Sequence, residues 1–441
     1  MISYHEALEL LLQCDRLPTT RLAIAAALGF VNAKPVVSTE TVPPFTNSSM
    51  DGFAVRAGDL AGASPATPVT LPVVGSTAAG DLPSTGGDGA WEIMTGAALP
   101  QGYDAVVKIE DVERTGDAVR FCAPIAKGEN VRAAGQDFAM GTPVVAAGDI
   151  IMPEQVMALA AVGQKDVAVY RKPTVTIINT GKELVQDADT PLRPGQIRDA
   201  SGPYLVTMLS TLGYAADYSG IIPDDEELFR SRLAAIVAKG TTDVVISTGA
   251  VSAGKFDFIP DVLRSLGADI RFHKLTNRPG KPALYARFAN GIHYLGLPGN
   301  PVSTAVGLRF LAVPLCRHLQ GLAAERPLKA RLVREVQKVK GLRFFCKARA
   351  SVSADGSLQV LVFDGQESFR IRQLVQANCW AVFDEAPGLI PAGDMVAIYP
   401  LVPDRWKLER HEDGDNALVR AHSPAADAGL PREGSPHETA H

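Results

Sequence analysis

Thr174-Val175-Thr176-Ile177-Ile178-Asn179-Thr180-Gly181-Lys182-Glu183 is the stretch on which the fold turns. A β-branched, apolar run passes straight into a glycine turn. The same order returns at Asp243-Val244-Val245-Ile246-Ser247-Thr248-Gly249-Ala250 and at His293-Tyr294-Leu295-Gly296-Leu297-Pro298-Gly299-Asn300-Pro301. Runs with no polar alternation predict strands buried on both faces. Helical spacing predicts helices over 204–212, 224–238, 258–266 and 302–319. Further strands are predicted over 215–220, 270–275 and 283–288. Strands that alternate with helices imply a three-layer α/β domain, with a mainly parallel sheet covered on both sides.

Outward from this centre the rhythm changes. Residues 3–12 predict an amphipathic helix, with Ser3 as N-cap and Glu6 closing a capping box. An Ala-rich helix is expected over 22–28 and another over 153–163. Between 36 and 151, short alternating runs broken by Gly, Pro and Asp predict a β-rich module. Residues 330–399 return to short strands, with a turn at Ala354-Asp355-Gly356, and predict a small barrel or sandwich. Beyond Asp404 the chain is polar and aperiodic, so a disordered tail is expected there, carrying His411, His422, His437 and His441.

The 441 residues are 46% hydrophobic and 21% charged, values of an ordinary globular chain rather than a fibrous or disordered one. A net charge of -5 offers no basic excess for a nucleic-acid partner. Five cysteines stand singly, without Cys-x-x-Cys, which fits a reducing compartment. No basic leader precedes an apolar run, and no run reaches the ~18 residues of a membrane span. A soluble cytoplasmic protein is expected.

The chemistry is expected at the carboxyl ends of the parallel strands, where open α/β sheets bind ligands. The turns at Thr180-Gly181, at Gly249 to Ser252 and at Pro298 to Ser303 fall on one edge if their strands are parallel. Helices opening from such turns favour an anion through free N–H groups and the helix dipole. A single turn of this kind reads as a tight strand-to-helix connection, whereas three on one edge predict a phosphate pocket. Lys274, Arg278 and Lys281 add cations around Pro279-Gly280. Glu183 and Asp257 lie in turns on the same edge. Carboxylates beside an anion site repel the ligand unless a divalent cation intervenes, so Mg²⁺ is inferred.

These segments resemble, in order, the motifs of the molybdopterin molybdenumtransferase (MoeA) family, which includes the E domains of gephyrin and of its plant counterpart. The matching stretches are PPFTNSSMDGFAV (43–55), EIMTGAALPQGYDAVVKIED (92–111), GQD (135–137), TGKEL (180–184), GQIRD (195–199), GIIPDD (220–225), STGAVSAGKFDF (247–258), RPGKP (278–282) and GLPGNPVS (296–303). A weaker match, GQESFRIRQLVQAN, covers 365–378. The resemblance implies a helical N-terminal linker domain over 1–42 and 138–172, an inserted β-rich module over 43–137, the α/β domain over 173–325, a C-terminal β domain over 326–403 and a tail over 404–441. It implies a homodimer whose site lies at the dimer interface. It implies a reaction of adenylyl-molybdopterin with molybdate that yields Mo-molybdopterin and AMP with help from a divalent cation. A molybdopterin adenylyltransferase and molybdoenzyme-maturation proteins are implied as partners.

Carried over residue by residue, the resemblance implies catalytic roles for Glu183, Asp51, Thr95, Asp137, Asp224 and Asp257, with Glu183 and Asp257 on the metal. Thr180, Gly181, Gly249, Ser252, Lys274, Arg278, Lys281, Pro298, Asn300, Pro301, Ser303, Lys347 and Ser368 would bind pterin, AMP or molybdate. The chain departs from the family pattern at Lys182, Ala250, Lys255, Ser201 and Lys347. Those departures leave a non-catalytic pterin-binding scaffold as an alternative, and a tungstate-using enzyme as another. Ala250 stands where a second glycine is usual, and its methyl group resists φ > 0.

Overall fold

The computed structural model describes residues 1–250, 258–386 and 388–410. These form two compact units, Met1–Leu17 with Arg171 onward, and Pro18–Tyr170. No helix among the described residues is long and apolar enough to cross a membrane.

In the first unit the central sheet has six strands: β1 (Thr174–Thr180), β2 (Ala215–Ile222), β3 (Val244–Thr248), β4 (Asp269–His273), β5 (Leu284–Arg287) and β6 (His293–Leu297), in the order β2-β1-β3-β6-β5-β4. The first four in that order are parallel. β5 and β4 add antiparallel, so the sheet is mixed at one side. Val175 pairs with Val244 and Asn179 with Thr248, while Thr248 pairs with Leu297. The three strand ends that carry the glycine turns are therefore in register on one edge.

Both faces of this sheet are buried. Val175, Ile177, Val244, Ile246 and Leu295 pack under the helices Tyr4–Leu12 and Ser201–Thr211 and under the helical segment that begins at Pro301. Ile178, Val245, Leu284 and Tyr294 pack under the helices Glu226–Lys239 and Ile259–Ser265. The amino-terminal helix has the expected capping box between Ser3 and Glu6.

The helix expected over 302–319 is interrupted by a π-helical segment, Leu308–Ala312. Pro314 is the reason. Its ring removes an N–H and crowds the carbonyl four residues back. That carbonyl, on Phe310, accepts instead from the Tyr4 hydroxyl at 3.1 Å.

The C-terminal β region is a closed five-stranded barrel. Arg343–Val352 pairs with Leu358–Val362 and with Cys379–Phe383. Met395–Pro400 pairs with Cys379–Phe383 and with Leu328–Leu332, which closes the ring on Leu358–Val362. Ala348, Val360, Ala381 and Ile398 fill its interior. Asn277–Arg278 adds in parallel to Arg343-Phe344 and ties the barrel to the loop after β4. Two residues expected in the disordered tail, Glu409 and Arg410, pair with Ser351 and Val352. The residues beyond 410, with the four tail histidines, lie outside the described ones.

In the second unit a six-stranded sheet forms the β-rich module, in the order Ala105–Lys108, Gly52–Val55, Ala90–Ile93, Val69–Thr77, Ala118–Phe121, Val112–Thr115. The helix expected over 22–28 is absent. Thr19–Ala23 is instead a strand that pairs antiparallel with Asp166–Tyr170, placing Leu22 opposite Val167. Cross-strand packing here overrides the helix preference of the Ala run, which closes as turns. The helix Pro153–Ala161 forms as expected.

At the start of β6, His293 is buried and its Nδ1 lies 2.9 Å from the Tyr285 hydroxyl. Burial, and then the nearby Arg287 charge, push its pKa down to about 4. The unfolded chain takes up this proton near pH ~6.5, whereas the folded chain resists it. Stability is thus full above that pH and falls as pH drops toward 4, by roughly 3 kcal/mol from this group. Urea unfolding measured between pH 7 and 4 should show this slope, and His293→Asn should flatten it.

Candidate functional site

The three turns meet. Gly249 has φ 84, and a Cβ there would fall 2.5 Å from the Thr180 carbonyl oxygen. Only glycine allows that approach. A Cβ on Gly299 would lie 3.5 Å from the Gly249 Cα. Gly249 N–H donates to the Leu297 carbonyl at 3.1 Å, and the Thr180 hydroxyl donates to the Thr248 carbonyl at 2.9 Å. Ala250 does take up the left-handed region, with φ 48. The methyl group is accommodated at a backbone cost of about 1 kcal/mol.

Above these turns lies a cavity of about 650 Å³. Among its walls are Thr180, Gly181, Glu183, Asp224, Gly249, Pro298, Asn300 and Pro301, all expected at the site. Asn300 is the N-cap of the helix Pro301–Gly307. The Thr304 hydroxyl and N–H hold the turn through the carbonyls of Pro298 and Asn300, at 2.7 and 2.9 Å. Glu183 folds back over Gly181, where a Cβ would come 2.8 Å from its carboxylate.

Sequence reading missed Asp199 and Arg198, although both lie in the quoted GQIRD stretch and both line this cavity. The short strand Leu184–Val185 pairs in parallel with Ile197–Arg198 and returns the chain to the pocket. Asp199 is buried there. It accepts from Asn179 Nδ2 at 2.7 Å, from the N–H groups of Ser201 and Gly202 at 3.1 and 3.0 Å, and from the Tyr218 hydroxyl at 2.5 Å. Asn179 in turn accepts from the Thr248 hydroxyl at 2.8 Å. One carboxylate thus ties β1, β2 and the helix Ser201–Thr211 together, and through Asn179 reaches β3. Burial and the Asp199 bond push the Tyr218 hydroxyl pKa up, so it stays a donor. An acidic residue just before a predicted helix was the available signal.

Other expected residues fall elsewhere. Arg278 stacks 5.5 Å over the Phe344 ring and lines a separate cleft beside the barrel. Lys274, Lys281, Ser303 and Ser368 do not line the cavity, although Lys281 immediately precedes its wall residue Pro282. Lys347 is fully buried, and its ammonium donates to the carbonyls of Gly365, Glu367 and Arg370 at 2.9, 3.3 and 3.1 Å. Its charge is satisfied by backbone, which leaves no free geometry toward an oxyanion. Desolvation lowers its pKa. Ser252, Lys255 and Asp257 lie outside the described residues.

Asp51, Thr95 and Asp137 belong to the second unit, where all three are exposed. The Asp51 carboxylate accepts from the Thr95 N–H and hydroxyl at 2.6 and 2.8 Å, which holds its pKa below the ordinary value. Asp137 N–H donates to the Val42 carbonyl at 2.9 Å. Among the described residues no three His, Cys, Asp or Glu side chains gather as a metal cluster.

Three family models match in order: the MoeA N-terminal region (domains I and II) over residues 2–163, a probable molybdopterin binding domain over 176–318, and the MoeA C-terminal region (domain IV) over 329–401. A molybdopterin molybdenumtransferase from Synechococcus elongatus is 37% identical over 91% of this chain and all of its own length. Another from Haemophilus influenzae is 33% identical over 87% of this chain and 94% of its own. Two solved structures of a molybdopterin biosynthesis MoeA protein from Pyrococcus horikoshii are 31% and 28% identical, with TM-scores of 0.77 and 0.76. They cover 91% and 90% of this chain and 99% of theirs.

Asp199→Asn should cost about 2 kcal/mol, because bonds to a charged acceptor are worth ~1.5–3 kcal/mol. Urea unfolding of the two chains at pH 7 measures the difference.

Proposed function

Since the chain belongs to the molybdopterin molybdenumtransferase family, with which it shares its full domain series, we propose how its strand-end cavity serves the reaction. The activity is molybdenum insertion in molybdenum-cofactor biosynthesis, a transferase reaction. In this reading the reactants are adenylyl-molybdopterin and molybdate, and the products are Mo-molybdopterin and AMP. The observation that supports it is the convergence of the turns at Gly181, Gly249 and Pro298 on a single cavity of about 650 Å³.

The turns that line the cavity receive the phosphate, with glycines at 181 and 249 letting the backbone come close to a ligand. Arg198, which lines the cavity, and Lys281, next to its wall residue Pro282, serve the anionic reactants. Thr180 and Asn300 fix the turns, the first through the Thr248 carbonyl and the second by accepting from Thr304 N–H. Glu183 and Asp224 bring two carboxylates to the same cavity. Hard oxygen donors, one or two in number, suit Mg²⁺, which keeps several waters. We assign the ion to Glu183 and Asp224, with Asp257, outside the described residues, as a further donor. Bound there, Mg²⁺ would neutralise charge on the departing phosphate.

A homodimer and a cytoplasmic location are part of the same reading, as are the proposed linker, insertion, α/β and barrel domains. Asp51, Thr95 and Asp137 then act from the β module of a second copy. A molybdopterin adenylyltransferase is the matching upstream partner.

Full-length chain given adenylyl-molybdopterin, molybdate and Mg²⁺ should release AMP. Glu183→Ala should slow release by about 100-fold or more, within the span seen for lost electrostatic groups, and leave thermal unfolding unchanged. No release by the unaltered chain would overturn the reading. If copies share sites, mixing and refolding Glu183→Ala with Thr95→Ala chains should restore part of the activity that each lacks alone.

A further inference from the structure

Phe369 lines the strand-end cavity and is 63% exposed. Ile371 lines the same cavity. An aromatic ring left in water on a loose loop would mean little, but this loop is fixed from several sides. Lys347 reaches out of the barrel and holds the carbonyls of Gly365, Glu367 and Arg370. Gln366 exchanges bonds with the Lys347 backbone, 2.9 Å in each direction, and donates to the Phe363 carbonyl at 2.7 Å. The Ser368 carbonyl accepts from Val302 N–H at 3.0 Å, at the start of the helix that opens from the Pro298 turn. The residues on both sides of Phe369 are therefore pinned. The Arg370 guanidinium lies over the ring, 5.8 Å from its centroid, and pairs with Glu367 at 2.9 Å.

Burying a lysine charge is costly. Here that charge rigidifies the one loop that carries an exposed aromatic into the cavity. The glycine turns and the cationic Arg198 line the same cavity, while Phe369 and Ile371 offer apolar surface. A cavity lined by an arginine, glycine turns and an exposed aromatic matches a ligand built of a planar ring joined to a phosphate.

We infer that Phe369 is the stacking platform for a heteroaromatic ring of the substrate, held in place by Lys347. This rests on the reading proposed above and assigns the ring-binding side of that same cavity. Phe369 is a specificity-determining residue in this role, and Lys347 a positioning residue that touches no reactant. The substrate contains two such rings, the adenine of the AMP half and the pterin, and both present a π-face of the same chemistry.

The test is calorimetric titration of the full-length chain with AMP in one arm and molybdopterin in the other. Phe369→Ala should weaken binding by about ten-fold or more in the arm whose ring stacks on it, and Phe369→Tyr should bring affinity back to within about two-fold. A loss confined to AMP places adenine on Phe369, and a loss confined to molybdopterin places the pterin there. Unaltered affinity of Phe369→Ala in both arms, with the unaltered chain still releasing AMP, overturns this inference and leaves the proposed function standing. A change in molecular mass on light scattering without a change in affinity would make Phe369 a contact between copies, and also overturns it. Failure of the unaltered chain to bind either ligand overturns the function and the inference together.

Discussion

The close approach of Gly249 to the Thr180 carbonyl is the contact on which the site depends. It requires β1 and β3 to be parallel neighbours in a register that ends both strands at the same height. It requires a residue without a side chain at a positive φ. Sheet pairing supplies the first condition, because a slip of one residue would turn Val175, Ile177, Val244 and Ile246 out of their shared core. With the edge set in this way, β6 adds its own turn beside the other two. Three distant segments then line one volume.

Asp199 shows how that edge is braced. A buried carboxylate is expensive, and here it is satisfied by four donors from β1, β2 and the following helix. The same network keeps Asn179 oriented toward Thr248. Acidic groups thus divide into two kinds at the cavity. Asp199 is consumed by structure, whereas Glu183 and Asp224 line the cavity without a comparable set of donors among the described bonds.

Lys347 and Pro314 are residues whose meaning changes with their surroundings. Lys347 has the charge and the motif position of an anion ligand, yet its ammonium is spent on three carbonyls of the Phe369 loop. Pro314 sits within a helical pattern and opens a π segment, and the freed Phe310 carbonyl recruits Tyr4 from the amino-terminal helix. In both cases a local liability becomes a tie between distant parts of one unit.

The amino-acid sequence by itself determined the alternation of strand and helix from Thr174 to Leu319, the glycine turns at the strand ends and the capping box at Ser3. Each follows from local rules of periodicity, backbone freedom or end satisfaction, which act over a few residues. Its motif series also identified the family and most of the cavity wall. Only the tertiary structure decided that Leu22 belongs to a strand, since that depends on Val167 lying opposite it. Likewise it alone placed Arg278 against Phe344, brought Asp199 into the pocket floor and closed five strands into a barrel. Those outcomes rest on pairings between segments tens to hundreds of residues apart, whose energies no local pattern records.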